Sequence, residues 1–239
     1  MHKTYFNWSS GKDSALALHH LSQNPDYKIE KLVTSINANN NRISMHGLRR
    51  TMLNEQIQAI GLPFQSIEMP ENITMEEYGK IMGDATDLLK KEGYTTAAFG
   101  DIFLEDLKEY REKKLKEVGL NAVFPLWKRN TKEVIHEFIE LGFKSIVVSI
   151  NSELLDKSFV GRMIDHNFID QLPENVDPCG ENGEFHTFCF DGPIFSKPVP
   201  FEIGEKVYHE YPAPNEDVKT IGFWFCDLIP RNSFENKVC

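Results

Sequence analysis

The feature that most constrains this chain is a regular exchange of two hydrophobic periods across its first 141 residues. Short apolar runs alternate with stretches whose apolar residues recur at helical spacing. Lys3 to Trp8 reads as a strand, and Asp13 to Ser22 as a helix with Ala15, Leu16, Leu18 and Leu21 at its apolar positions. IEKLVTSI, residues 29–36, predicts a second strand, and His46 to Ile60 a second helix stopped by Gly61 and Pro63. Phe64 to Met69, residues 95–100 and residues 121–127 supply three more strands. Helical patterns over Met75 to Gly93 and Glu105 to Val118 separate them, and one over Thr131 to Leu141 follows. Strands separated by helices of this length pair in parallel through right-handed crossovers. The expectation is an α/β fold on a doubly wound, parallel five-stranded sheet.

The pattern then changes. After KSIVVSI, residues 144–150, glycine and proline become frequent, and FHTFCF (185–190), KVYHEY (206–211) and TIGFWFCDL (220–228) read as antiparallel strands. This predicts a first unit over residues 1–127 and a smaller C-terminal α+β unit over 128–239.

Charge and cysteine usage exclude several classes of function. With 36 acidic against 26 basic residues, the net charge of −10 argues against broad nucleic-acid binding, which needs a basic surface. A local basic pocket remains compatible with it. Cys179, Cys189, Cys226 and Cys239 show no CxxC spacing and fit reduced thiols in a cytoplasmic protein. No apolar run has the length of a membrane span, and the first residues lack the apolar core of a signal peptide. The composition is equally compatible with a monomer and a homo-oligomer.

Ligands of doubly wound sheets sit at the carboxyl ends of the strands, and the first such end is the loop in FNWSSGKDSALALHHL, residues 6–21. A glycine turn before a helix N-terminus makes an anion site, to which Lys12 adds charge and the serines add hydroxyl donors. Phosphate is the expected occupant. The GxxxxGK and GxGxxG phosphate loops are both absent here. The plainer alternative is that Ser10 or Asp13 caps the helix and Gly11 makes the turn.

SSGKDS, residues 9–14, resembles the SGGxDS pyrophosphate loop of the adenine nucleotide alpha-hydrolase-like ATP pyrophosphatases, with Ser10 in place of the usual second glycine. The resemblance implies ATP cleavage between the α and β phosphates and adenylation of a carbonyl or carboxyl oxygen. Ser9, Ser10, Gly11, Lys12 and Ser14 would hold the β and γ phosphates, with Asp13 near Mg²⁺. The adenine would lie near Ser35, Ile36 and Gly100.

Later segments are similar to the diphthine–ammonia ligase family. DPCGENGEFHTFCFDGPIF (177–195) matches its GExGEFxT segment, LDKSFVGRMID (155–165) its LDKxxxGRxID segment, and FPLWKRNTKEVIHEFIELGF (124–143) follows its pattern. That family is understood to convert a carboxylate on a modified histidine of the translation elongation factor into an amide, with ATP and ammonia. The resemblance implies that Glu181, Glu184, His186 and Thr187 line a substrate pocket, one of them accepting a proton from the amine; the plainer alternative is that Glu181 and Glu184 sit on a solvated hairpin and His186 and Thr187 begin a strand. Arg162 would pair with an anionic substrate group or with Asp165. His46, in SMHGLRR (44–50), would contact ligand or simply begin a helix. FGDIFLEDLKEYRE (99–112) departs from the family; Asp101 and Glu105, four apart, are expected to share a helix face toward the cleft and to read an acceptor other than diphthine. Residue 2 is His and the cysteines are late, so no glutaminase nucleophile is in view, and ammonia or another amine is the expected donor. Two other readings stay open: a tRNA-modifying ATP pyrophosphatase, for which a basic surface and paired cysteines are missing, and a non-catalytic nucleotide-binding sensor.

Overall fold

The computed structural model describes residues 1–43, 46–71, 73–212 and 220–231. Its first part runs β1 (His2–Asn7), α1 (Lys12–Ser22), β2 (Tyr27–Asn37), β3 (Arg42–Ile43), α2 (Arg50–Ile60), β4 (Phe64–Met69), α3 (Met75–Lys91), β5 (Thr96–Ala98), α4 (Glu105–Glu117), β6 (Asn121–Val123) and α5 (Thr131–Glu140). β1 is central, with β2 on one side and β5 on the other; β4 adds to β2 and β6 to β5, all in parallel. The expected doubly wound sheet of five parallel strands is therefore present. A sixth strand, the two-residue β3, pairs antiparallel with the end of β2 through Ile36 and Ile43.

Successive side chains of a strand point to opposite faces, and β1 shows the consequence. Tyr5 joins a cluster with Val33, Ala97 and Phe99 beneath α3 and α4. Phe6 joins the other cluster, with Leu16, Leu32 and Leu53 on the side of α1 and α2.

The second part holds β7 (Lys144–Asn151), a 3₁₀ turn at Lys157–Phe159, α6 (His166–Asp170), β8 (Phe185–Asp191), β9 (Phe201–Pro212) and β10 (Thr220–Pro230). These strands form an antiparallel sheet in the order β8-β7-β10-β9. Ser145 to Ile150 of β7 are buried throughout, and Val147 and Phe188 belong to the same hydrophobic cluster as Phe6 and Leu16. The two sheets thus share one core.

Three elements are shorter than their sequence patterns. The strand expected over 121–127 ends at Val123, because Pro125 lacks an N–H and disfavours ladder pairing; Trp127 turns back to bond the Phe124 carbonyl at 3.1 Å. The strand over 95–100 keeps only Thr96–Ala98 before the chain leaves toward α4. α2 begins at Arg50, so His46 lies in the preceding turn. Among the described residues no helix is long and apolar enough to cross a membrane. Ser44 and Cys239 lie outside the described residues.

Candidate active site

The loop leaving β1 is held by groups far away in sequence. Ser10 adopts φ 72°, the left-handed region, and is fully buried, with a hydroxyl that has no hydrogen-bond partner. Gly11 is the N-cap of α1 and no side chain caps that end, so Ser10 and Asp13 do not play the capping role. The Ser10 carbonyl instead accepts from the Cys189 N–H of β8 at 2.9 Å and from Gln56 Nε2 at 3.0 Å. Gln56, fully buried on α2, also accepts from Trp8 Nε1 at 2.8 Å and donates to the Cys189 carbonyl at 2.5 Å. β8 closes the loop from the other side: the Lys12 N–H donates to Thr187 Oγ1 at 3.0 Å. The Ser9 and Ser14 hydroxyls meet at 2.7 Å.

A cleft of about 1010 Å³ opens over this loop, at the upper end of the range for small-molecule sites. Ser9, Gly11, Lys12, Asp13 and Ser14 form its floor, and Ser35 and Gly100 line it at the ends of β2 and β5. A side chain at Gly100 would put its Cβ 2.9 Å from the Ser14 backbone N, so only glycine lets β5 end this close to α1. The Lys12 side chain is buried, its ammonium 2.7 Å from the Asp13 carboxylate, bonded to the Cys179 carbonyl and 5.3 Å from the centre of the Phe185 ring. Burial works against the Lys12 charge, and Asp13 together with Cys179 and Glu181 more than offsets it, which keeps Lys12 cationic. Burial also pushes the Asp13 carboxyl up, against the Lys12 ammonium.

Two further carboxyls and two imidazoles complete the cleft. Asp101 is paired with Arg111, whose guanidinium lies 4.5 Å from the Phe99 ring centre; burial raises Asp101 despite that partner. Glu181 Oε1 accepts the Ile102 N–H at 2.7 Å and is pushed up to about 7, by burial first and then by Asp13. His46 and His186 stack with ring centres 4.7 Å apart. Because Nδ1 of His46 lies 3.2 Å from the Thr187 carbonyl, that nitrogen carries the proton. Burial and His186 bring His46 down to about 3, and burial and Lys12 bring His186 to about 4. Both imidazoles are therefore neutral at physiological pH, and among the described residues the buried His186 Nε2 has no partner. The site combines a donor-rich loop carrying a buried lysine with a carboxyl group poised near neutrality.

The diphthamide synthase N-terminal domain is matched over residues 2–122, and the diphthamide synthase C-terminal domain over residues 130–215. The chain belongs to the diphthamide synthase family. Relatives include the diphthine–ammonia ligase of Homo sapiens, 29% identical over 59% of this chain and 57% of that protein. The Bos taurus diphthine–ammonia ligase is 30% identical over 56% of this chain and 54% of its own length. That of Danio rerio is 27% identical over 64% and 66%. The chain thus matches little more than half the length of the human and bovine proteins. A U34-tRNA thiolase structure from Methanococcus maripaludis overlaps with a TM-score of 0.37 at 17% identity, covering 59% of this chain and 57% of the thiolase, a likeness too loose to bear on function.

Within this diphthamide synthase family member, the fold gathers His46, Asp101, Glu181, His186 and Thr187 around the phosphate loop. Five expected site residues lie elsewhere, the first being Ser10, which is fully buried and does not line the cleft. Glu184 is buried, and its carboxylate is saturated by the N–H groups of Asp177 and Asn182 (both 2.9 Å) and by Asn182 Nδ2, so it holds its own loop together. Glu105 is exposed on α4 and faces Lys128 at 3.3 Å; Asp101 precedes that helix, so the two never share a helix face. Arg162 bonds Gln171 at 2.9 Å and lies over Phe159 and Phe168, away from the cleft, while Asp165 caps α6. Ile36 is a core residue. Two residues with evident roles, Gln56 and Arg111, were not singled out as site residues from sequence. Gln56 carries a signal: a polar side chain on the face shared by Met52, Leu53 and Ile57.

Proposed function

We propose that this chain is an ATP-dependent ligase that adenylates a carboxylate, releases pyrophosphate and forms an amide with ammonia or another amine. The observation that carries this reading is the phosphate loop itself, a bare helix N-terminus flanked by Lys12 and two hydroxyls within a chain of the diphthamide synthase family. A carboxylate oxygen attacks the α phosphorus, and the bond to the β-phosphate oxygen breaks. Lys12, Ser9, Ser14 and the first N–H groups of α1 stabilise the charge growing on the departing pyrophosphate. The amine nitrogen then attacks the acyl carbon, AMP leaves, and the surplus proton of the amine passes to Glu181, whose raised pKa suits a proton acceptor near neutral pH.

Mg²⁺ in such sites is held by one or two carboxylates together with phosphate oxygens and water. Among the described residues no group of three or more His, Cys, Asp or Glu is arranged as a metal cage. Asp13, close enough to Asp101 to raise that carboxyl electrostatically, fits the shared kind of site and would hold Mg²⁺ against the phosphates. The ion would supply charge neutralisation to the leaving pyrophosphate.

The relatives are named for diphthine and ammonia. Asp101 and Arg111 stand on the cleft wall where an acceptor would be read. The acceptor read there is diphthine or another carboxylate. ATP–pyrophosphate exchange with Mg²⁺, across diphthine-bearing elongation factor and a panel of small carboxylates, tests both points. Carboxylate-dependent exchange is expected; saturable ATP binding with no exchange on any carboxylate would favour a nucleotide-binding sensor instead.

A further inference from the structure

The carboxylate of Asp227, on β10, takes hold of both ends of the segment that carries His46. Arg49 binds it with two prongs, Nε at 2.9 Å and Nη2 at 2.5 Å, and Arg42 Nη1 binds it at 3.0 Å. Burial works against this carboxylate, and Arg49 and Arg42 more than offset that, keeping Asp227 ionised. Between the two arginines the chain folds back on itself: the Ile43 N–H bonds the Leu48 carbonyl, the Gly47 N–H bonds the Ile43 carbonyl, and Arg42 also donates to the Gly47 carbonyl. Gly47, at φ 63°, lies flat on the Phe225 ring, where a Cβ would come within 2.7 Å. The same strand, β10, therefore supplies both the anchor and the surface on which this turn rests. His46 is then set with its ring against His186, its Nδ1 proton on the Thr187 carbonyl and its Cε1 3.3 Å from where a Cβ of Gly11 would stand.

We propose that Asp227 is a positioning residue for the phosphate-loop site: through Arg42 and Arg49 it fixes the turn that seats His46 over Gly11 and against His186. The assignment rests on the ligase reading only for what the site binds. Asp227 lies beyond residue 215, outside both matched family regions. An exposed ion pair contributes little, but a two-pronged arginine–carboxylate contact also dictates geometry, and here it joins elements 178 residues apart.

The charged or titratable groups around His46 are His186 from β8, Lys12 from α1, Arg42 and Arg49 on its own segment, and Asp227 itself. While the turn is seated, His46 is half-buried and neutral. Loosening it returns the imidazole to water and to an ordinary histidine titration near ~6.5.

The test follows the His46 ring by NMR between pH 5 and 8 in the full chain without nucleotide, the His46→Gln spectrum identifying its signals. The wild-type ring is expected not to titrate, Asp227→Asn to titrate near ~6.5, and Asp227→Glu to behave as wild type. A folded Asp227→Asn protein whose His46 still does not titrate overturns the proposal. If Asp227→Asn does not fold, Arg49→Lys carries the same readout, since it keeps the charge and gives up the second prong. Calorimetric titration with ATP and Mg²⁺ is the separate arm, with a fall in affinity of about tenfold expected for Asp227→Asn. A wild-type protein that binds no ATP would sink the ligase reading, while the titration of His46 still decides the clamp.

Discussion

Ser10 occupies a conformation that a side chain disfavours, with a hydroxyl that finds no partner. The left-handed region costs a non-glycine residue about 1–2 kcal/mol, partly offset by the greater freedom glycine has when unfolded. Ser10→Gly should therefore raise stability by about 1 kcal/mol, seen as a melting temperature roughly 2–4 °C higher. An unchanged or lower melting temperature would mean that the backbone strain inferred here is not felt. Glu181 makes a sharper prediction through pH. In the folded protein its pKa is about 7, against 4.5 ordinarily, so between those values the folded state binds more protons than the unfolded chain and stability falls as pH rises. Gln cannot ionise. Relative to wild type, Glu181→Gln should gain about 1–3 kcal/mol between pH 5 and 8 in urea unfolding, and gain nothing below about pH 4.5. If Glu181 accepts the amine proton, the same variant should lose the acidic limb of amide formation near pH 7, and retention of that limb would move the role to another group.

At the scale of elements, the site is made where two pieces of secondary structure converge on the loop after β1. α2 brings Gln56 and β8 brings the Cys189 N–H, and both end on the Ser10 carbonyl. Gln56→Leu would strand the Trp8 indole N–H, take the Gln56 donor from the buried Cys189 carbonyl and leave the Ser10 carbonyl with only the Cys189 N–H. Each unpaired buried group costs about 1–3 kcal/mol, so a loss of roughly 3 kcal/mol or more is expected in urea unfolding, with weaker ATP binding in the fraction that remains folded. A loss under about 1 kcal/mol would show that water or a neighbouring side chain replaces the amide. The start of α4 illustrates the opposite case: its first residue, Glu105, points outward, and of the two carboxylates it is Asp101, four residues upstream in the preceding loop, that reaches the cleft.

For the molecule as a whole, one hydrophobic cluster passes from the parallel sheet into the antiparallel one, and the phosphate loop is bonded across that junction. Unfolding should then be a single cooperative event. Trp8 lies in the first part and Trp224 on β10, so variants keeping one or the other as the sole tryptophan report the two sheets separately. Coincident urea midpoints are expected; midpoints separated by more than experimental scatter would show two independently stable units.

The alternation of periods along residues 1–141 was enough to specify the parallel sheet, because every βα unit there buries its own apolar face locally. The turn at SSGKDS was legible for a related reason: a glycine turn before a helix N-terminus is written in consecutive residues, although α2 and β8 hold it in place. What the linear pattern could not decide was direction. Whether Glu181 or Glu184 faces the cleft depends on which carboxylate meets the Ile102 N–H and which meets its own loop. Arg162 was drawn toward the site by its motif, and the fold spends its guanidinium on Gln171 and two phenylalanine rings. Gln56 and Asp227 acquire their roles only when strands and helices far apart in the chain are packed together. Local hydrogen bonding and hydrophobic period are written residue by residue, whereas a buried polar partner is defined by long-range contacts, and those exist only in the folded chain.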